Sequence, residues 1–384
     1  MPQRRILIVG GSTRAAADSV RRAGWQPVCA DLFADLDLHA NAEVVPVRNY
    51  PESLPDDVAH IRADGWFYCG GLENHPDILD RIEIANTACG PLLGTHLMGL
   101  RIVREPLWLA DILKSSGIKV LDVAPESSPP LADGTWVQKP KASAGGRAIR
   151  IWDDAALKVP LSEPHYFQRR AAGTAQSAIF CADGGEIRWL GASLELEPNP
   201  GSEPPSVFSY CGSCGPTNHI PQQLEEIAAT LLRRIPALRG PIGLDFRLDR
   251  NNVWLTEVNP RYTASIEILE LASGRSLLNP NAELPPKPDS QPQGLLVAKQ
   301  ILYTSKQICA PDLSRFANAT NVWQVPIVSD IPRPGIPIEP GWPICTVFAS
   351  GNTRREVDAI LNQRSDWIRH AIHGETDQTL HPLK

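Results

Sequence analysis

Apolar residues in the first 95 positions of the chain come in two alternating patterns. Short continuous apolar runs at 5–9, 27–30, 43–47 and 66–69 read as strands buried on both faces. Between them, 15–23 and 77–87 carry apolar residues on one helical face. Strand–helix alternation of this kind predicts a parallel α/β sheet. Gly10, Gly11 and Ser12 close the first strand in a turn. Over 96–116 the pattern stays helical, and Pro106 splits it, because the residue before a proline is pushed out of the helical region.

The texture then changes. Strand-like segments follow at 135–139, 148–152, 165–169, 175–181 and 186–194, with little helix between them. Residues 221–235 form an amphipathic helix. Residues 238–248 and 253–258 pair as strands across the turn Asp249-Arg250-Asn251-Asn252, and 264–273 returns to helix. Pro280, Pro285, Pro286, Pro288 and Pro292 mark a linker. The last stretch, to Lys384, alternates short strands with Gly/Pro turns before a closing helix near 355–361. These shifts divide the chain into 1–95, 96–283 and 284–384.

Composition narrows the class. A chain of 384 residues can hold two or three cored domains. With 42% hydrophobic and 21% charged residues it reads as a soluble globular protein. A net charge of −6 gives no basic surface to track nucleic acid. No apolar run approaches the roughly 18 residues of a membrane span. The apolar run near the start is too short for a secretory signal, and Arg14 and Asp18 soon follow, so the protein is expected in the cytoplasm. The 8 cysteines mostly sit inside apolar runs, where a free thiol behaves as a small hydrophobe. Cys211-Gly212-Ser213-Cys214 with His219 is half of a zinc site at most, and is read as a flexible loop bordering the substrate.

Two stretches carry chemistry. In Trp136-Val137-Gln138-Lys139-Pro140-Lys141, followed by Ser143-Ala144-Gly145-Gly146-Arg147, a strand ends in a lysine and a small-residue loop follows. The lysine supplies a cation, and glycines let backbone N–H groups approach phosphates closely. The second stretch joins Gly243-Leu244-Asp245-Phe246-Arg247 to Glu257-Val258-Asn259-Pro260-Arg261. Asp245 and Glu257 lie on adjacent strands, and Glu257 and Asn259 share a face. Two carboxylates and an amide suit Mg²⁺, which takes a few protein oxygens and completes its shell with water and phosphate. Arg261 adds a guanidinium able to hold a carboxylate or phosphate. Between the two stretches lies Tyr166-Phe167-Gln168-Arg169-Arg170.

The order of these motifs resembles the ATP-grasp superfamily, most specifically at the Lys139-Pro140 loop and at Glu257-Val258-Asn259-Pro260-Arg261, over about residues 1–280. The resemblance implies a mixed α/β and α+β fold. A Rossmann-like preceding domain would be followed by a two-subdomain ATP-grasp fold, with a C-terminal segment packed on it. It implies ATP and Mg²⁺, or Mn²⁺ in its place, as cofactors. Lys139 would contact the phosphates, and the loop containing Ser143, Gly145 and Gly146 would close over them. Gln168, Arg169, Arg170 and Ala171 would be the adenine hinge. Asp245, Glu257 and Asn259 would hold the metal. Arg261 and Lys139 would act in catalysis.

The family's second ATP-binding lysine is absent here; the nearest candidates are Arg101 and Arg104, so that contact would be an arginine or lost, with Arg104 the choice for cofactor binding. The hinge glutamate is replaced by Gln168, and the ribose-binding glutamate by Gln176. The implied activity is ligation of a small-molecule carboxylate to an amine through an acyl-phosphate, with a homodimer as one assembly open to it. Within the family the chain is similar to the group that includes tyramine–glutamate ligases, partly through Gly70-Gly71-Leu72-Glu73-Asn74, which lies where such domains shape the cleft. The alternatives are a biotin-carboxylase-like carboxylating enzyme and a nucleotide-binding regulator without turnover.

Overall fold

The computed structural model describes residues 3–183, 185–198, 202–217, 219–279, 294–318 and 321–372. The proline-rich stretch from Pro280 to Pro292 lies outside them. Among the described residues, no helix is long and apolar enough to cross a membrane.

The apolar runs at the start form a parallel sheet. Arg5–Gly10 (β1), Gln26–Asp31 (β2), Glu43–Val45 (β3) and Gly65–Cys69 (β4) stand in the order β3-β2-β1-β4. Helices Arg14–Arg22 (α1), Leu36–Asn41 (α2), Leu54–Val58 (α3) and Pro76–Ala85 (α4) connect or follow them. The pattern missed α2 and α3, which are five or six residues long and too short to show a period. The helical stretch that follows breaks where expected, into Leu97–Val103 (α5) and Pro106–Ser115 (α6), with Pro106 at the first turn of α6.

Four short strands form a second, antiparallel sheet. They are Val123–Pro125 (β5), Trp136–Pro140 (β6), Arg150–Trp152 (β7) and His165–Arg169 (β8), in the order β5-β8-β6-β7, with Asp154–Lys158 (α7) beside β7. The Asp153 carboxylate caps α7 by accepting from the Ala155 and Ala156 N–H groups.

The third sheet is the largest. Thr174–Asp183 (β9), Glu186–Glu195 (β10), Gly212–Gly215 (β11), Gly240–Asp249 (β12) and Asn252–Asn259 (β13) are joined by Leu296–Tyr303 (β14), Val328–Ser329 (β16) and Pro343–Gly351 (β18). The order is β13-β12-β9-β10-β11-β14-β18-β16. Ile308–Cys309 (β15) and Pro337–Ile338 (β17) form a separate pair. The strands after residue 284 therefore extend the central sheet by hydrogen bonding, through β11 and β14. Cys211-Gly212-Ser213-Cys214, read as a flexible loop, is instead largely β11, and both thiols are buried.

Period two governs what each face of this sheet does. Ala178, Phe180, Leu244 and Phe246 point to a core shared with Leu224, Ile227 and Leu231 of Gln222–Arg234 (α8). On the other face, Ile179 and Val297 pack with Ile266 and Leu269 of Ser265–Ser273 (α9), and with Ile6 and Ile8 of β1. Further along that face the residues become polar: Ser177, Ser193, Glu195, Asp245 and Glu257. Arg354–Ile372 (α10) covers β14 and β18.

Candidate active site

The polar end of the central sheet faces the second sheet across a cleft of about 1660 Å³, part of it open to solvent. Lys139 enters it from β6. Its side chain is buried, and its Nζ donates to Gln168 Oε1 at 3.2 Å and to the Thr256 carbonyl at 3.1 Å. Burial works to lower the Lys139 pKa, but the Tyr166 and Glu257 side chains more than offset this and hold it above its usual value. The cation is kept charged in a dry position.

On β12 and β13, Asp245 stands opposite Glu257. Asn259 Nδ2 donates to Asp245 Oδ2 at 2.7 Å. Burial, then the charge of Glu257, pushes the Asp245 carboxyl up to about 6. Burial also acts to raise Glu257, but Arg104 and Lys139 outweigh it and hold Glu257 below its ordinary value. Arg104 donates from Nη1 to Glu257 Oε1 at 2.5 Å. Among the described residues no three His, Cys, Asp or Glu side chains gather as a metal-binding group. The donor set is two carboxylates and an amide, with Asp245 short of counter-charge. That chemistry fits Mg²⁺ with phosphate and water completing its shell.

Arg104 also explains how the glycine loop is held. Its Nη2 donates to Asn74 Oδ1 at 2.7 Å and to the Ser143 carbonyl at 3.1 Å. Ser143 Oγ donates to the Arg147 carbonyl at 2.6 Å. On the other side, the Tyr210 N–H donates to the Gly145 carbonyl at 2.9 Å, and Ser206 Oγ to the Ile149 carbonyl at 2.9 Å. Gly146 has φ of 75°, and a Cβ there would lie 1.7 Å from the Phe208 carbonyl oxygen. Only glycine allows this approach. A Cβ at Gly71 would lie 3.2 Å from the Ala144 Cβ, so the Gly70–Asn74 stretch lies close beneath the loop. Arg101, the other basic candidate on α5, pairs with Asp77 at the surface.

At the hinge, the Arg169 and Arg170 N–H groups are taken by the Asp122 and Thr135 carbonyls. Among the described residues the Ala171 N–H has no partner. The Arg169 guanidinium lies over Trp136 at 5.5 Å, and Arg170 donates to the Gly134 carbonyl at 2.8 Å. Gln168 contributes its side chain, by holding Lys139. Gln176 is a correction. It is buried opposite Phe246 and Leu194, on the other face of β9 from Ala175 and Ser177, which line the cleft. Alternation along a strand turns it away from any ribose.

Arg261 lines the cleft and donates from Nε to Glu73 Oε1 at 2.5 Å. Burial acts against its charge, and Glu73 more than restores it, raising its pKa. Sequence reasoning named the Glu73 stretch without this pairing. It missed Glu195 altogether. Glu195 ends β10 and lines the cleft; burial, then Asp245, pushes its carboxyl up to about 8. The alternation Leu194, Glu195, Leu196, Glu197 was the available signal, since it puts both glutamates on one face.

A cation pair, a seated glycine loop and an acidic strand pair surround one cleft, and residues 107–265 match the model of the ATP-grasp domain. The chain carries an ATP-grasp domain. Its overall fold is similar to that of an L-amino acid ligase from Bacillus licheniformis, with TM-score 0.64 and 16% identity over 95% of this chain and 97% of that one. Carboxyaminoimidazole ribonucleotide synthase from Aspergillus clavatus, solved with ATP, gives TM-score 0.66 and 14% identity over 96% of this chain and 99% of that one. At the sequence level, 158 residues are 23% identical to an uncharacterised protein of Methanocaldococcus jannaschii, covering 41% of this chain and 38% of that protein's length. The ATP-grasp fold is therefore set in a mixed α/β frame, with neighbours that span the superfamily.

Proposed function

We propose that the protein is an ATP-dependent ligase that activates a carboxylate as an acyl-phosphate and transfers it to an amine, releasing ADP and phosphate. The observation that carries this reading is the convergence of Lys139, Arg104, Asp245, Glu257, Asn259 and Arg261 around one cleft beneath the glycine loop. The ATP-grasp match and the ligases among its structural neighbours support it.

Ala171 would receive the base, and Lys139 and Arg104 the phosphates. Asp245, Glu257 and Asn259 would hold Mg²⁺, which neutralises charge on the transferring phosphoryl group. Arg261, oriented by Glu73, would align the substrate carboxylate for attack on the γ-phosphorus. The P–O bond to ADP breaks as the carboxylate oxygen bonds to phosphorus. The amine then bonds to the acyl carbon, the C–O bond to phosphate breaks, and amine protons pass to solvent and phosphate. The loop seated on Asn74 and Tyr210 keeps water from the acyl-phosphate. Likeness to the tyramine–glutamate ligase group makes tyramine and glutamate sensible members of a first substrate pool.

ADP and phosphate release from Mg-ATP, measured with pools of amino acids and amines, tests the reading. Release should require a carboxylate together with an amine. It should fall by about 100-fold or more in Glu257→Gln, with ATP binding still measurable. Tight ATP binding with no release in any pool would replace the ligase with a nucleotide-binding regulator. Bicarbonate-dependent release without an amine would point to carboxylation.

A further inference from the structure

The lining of the cleft runs past β6, the glycine loop and the hinge to the end of β10 and the chain just beyond it. The nucleotide half is lined by β6, the glycine loop and the hinge. The other half is lined by Glu195, Glu197 and Arg247, together with Phe208 and Tyr210, which also hold the glycine loop. Glu195 lies opposite Ser213, one two-residue step along β10 from Ser193. Ser193 in turn faces Ser177 and, beyond it, Asp245. With strands roughly 4.8 Å apart, the Glu195 backbone stands on the order of 10–12 Å from that of Asp245. That gap leaves room for a substrate between the metal-side carboxylates and this one.

Charge in this half is unbalanced. Glu257 has Arg104, and Arg261 has Glu73. Arg247 donates to the Gly173 carbonyl at 2.7 Å, and its guanidinium partly offsets Glu195. Among the described residues neither the Glu195 nor the Glu197 carboxylate forms an ion pair or a hydrogen bond. A second observation points to a missing ligand. Thr263 is 7% exposed and lines the same cleft, and its Oγ1 has no hydrogen-bond partner. Buried hydroxyls are satisfied in native proteins, so this one is placed to bond a group bound in the cleft.

We propose that Glu195 and Glu197 form the subsite for the amine, and that the amine is a cationic primary alkyl- or aralkylamine whose apolar body lies on Phe208 and Tyr210. The inference rests on the ligase reading and deepens it. A phosphorylated amine would bring further negative charge against two carboxylates, and so is disfavoured. A cationic amine supplies the counter-charge the half-cleft lacks.

The test uses hydroxylamine, which is largely neutral near pH 7 and so gains nothing from the charge of Glu195 and Glu197. The full-length protein receives Mg-ATP and the proteinogenic L-amino acids as carboxylates, with hydroxylamine in one series and tyramine, putrescine or L-lysine in the other. Hydroxamate and amide are quantified. In Glu195→Gln, the ratio of kcat/KM for the preferred cationic amine to that for hydroxylamine should fall about 30-fold or more, chiefly through KM for the amine. Glu197→Gln should lower the same ratio less, and it stands in if Glu195→Gln does not fold. An unchanged ratio in both variants overturns the amine subsite and leaves the ligase standing. Wild-type protein that forms neither hydroxamate nor amide overturns the ligase reading, and the subsite with it.

Discussion

Asp245 is a buried carboxyl facing another carboxyl, and its proton is held up to about 6 for that reason. A raised carboxyl pKa means that the folded chain binds the proton more tightly than the unfolded one. The associated stability is present below the ordinary value of 3.8 and is lost as pH rises through about 6. A cation at Asp245 removes that penalty, so binding of Mg-ADP competes with the proton. The rise in melting temperature on adding Mg-ADP should grow between about pH 5 and pH 7, and Asp245→Asn should abolish the growth. Arg104 gives a second prediction. Arg104→Ala removes the partner of Glu257 and the tether of Ser143 together, and should raise KM for ATP by about 10–100-fold, read by ADP release. Much of the residue set was legible because its types are dictated by charge: a strand-end lysine, an acid on each of two paired strands, an amide and an arginine. Glu195 was not, because its meaning lies in the absence of a partner, which only the assembled cleft reveals. Gln176 was misplaced because one residue of slip along a strand changes the face.

At the scale of elements, long periodic segments were readable and short ones were not. The amphipathic pattern of α8 and the Asp249–Asn252 turn can be seen in the chain alone. Strand β11 cannot. Four residues with two glycines have no period, and their pairing comes from Leu194 and Glu195 on one side and residues 297–300 on the other. Gly212 has φ of 138°, and a Cβ there would meet the Lys299 carbonyl oxygen at 2.1 Å, so close strand approach fixes its identity. The glycine loop offers a test at this scale. Gly146→Ala drives a methyl into the Phe208 carbonyl and should unseat the loop. Turnover should fall by about 10-fold or more, with a small change in melting temperature, because the loop caps the cleft and holds no core. Steady-state kinetics beside thermal melts separates the two effects.

Across the whole molecule, a buried ionic cluster ties the first sheet to the third. Arg14 of α1 pairs with Glu267 of α9 and donates from Nε to Asp330 Oδ1 at 2.9 Å. Lys299 of β14 reaches Glu267 Oε2 at 2.8 Å. Burial pushes the Glu267 pKa up, but Arg14 and Lys299 prevail and leave it well below its ordinary 4.5. A depressed carboxylate contributes stability above its unfolded pKa and loses it as pH falls, so this contribution should fade below about pH 4.5. Glu267→Gln leaves two buried cations without their shared partner, and should cost about 3–5 kcal/mol in urea unfolding at pH 7. The chain showed Arg14 and Glu267 only as charges 253 positions apart, and nothing local joins them.

The central sheet is built from both sides of the stretch between residues 279 and 294, since β11 precedes it and β14 follows it. Two separate polypeptides divided in that stretch would each end in an open row of backbone donors and acceptors, one complementary to the other. Co-expressed, they should knit into one sheet and recover turnover that neither has alone, which would make this chain a split reporter for the proximity of any two proteins fused to its halves.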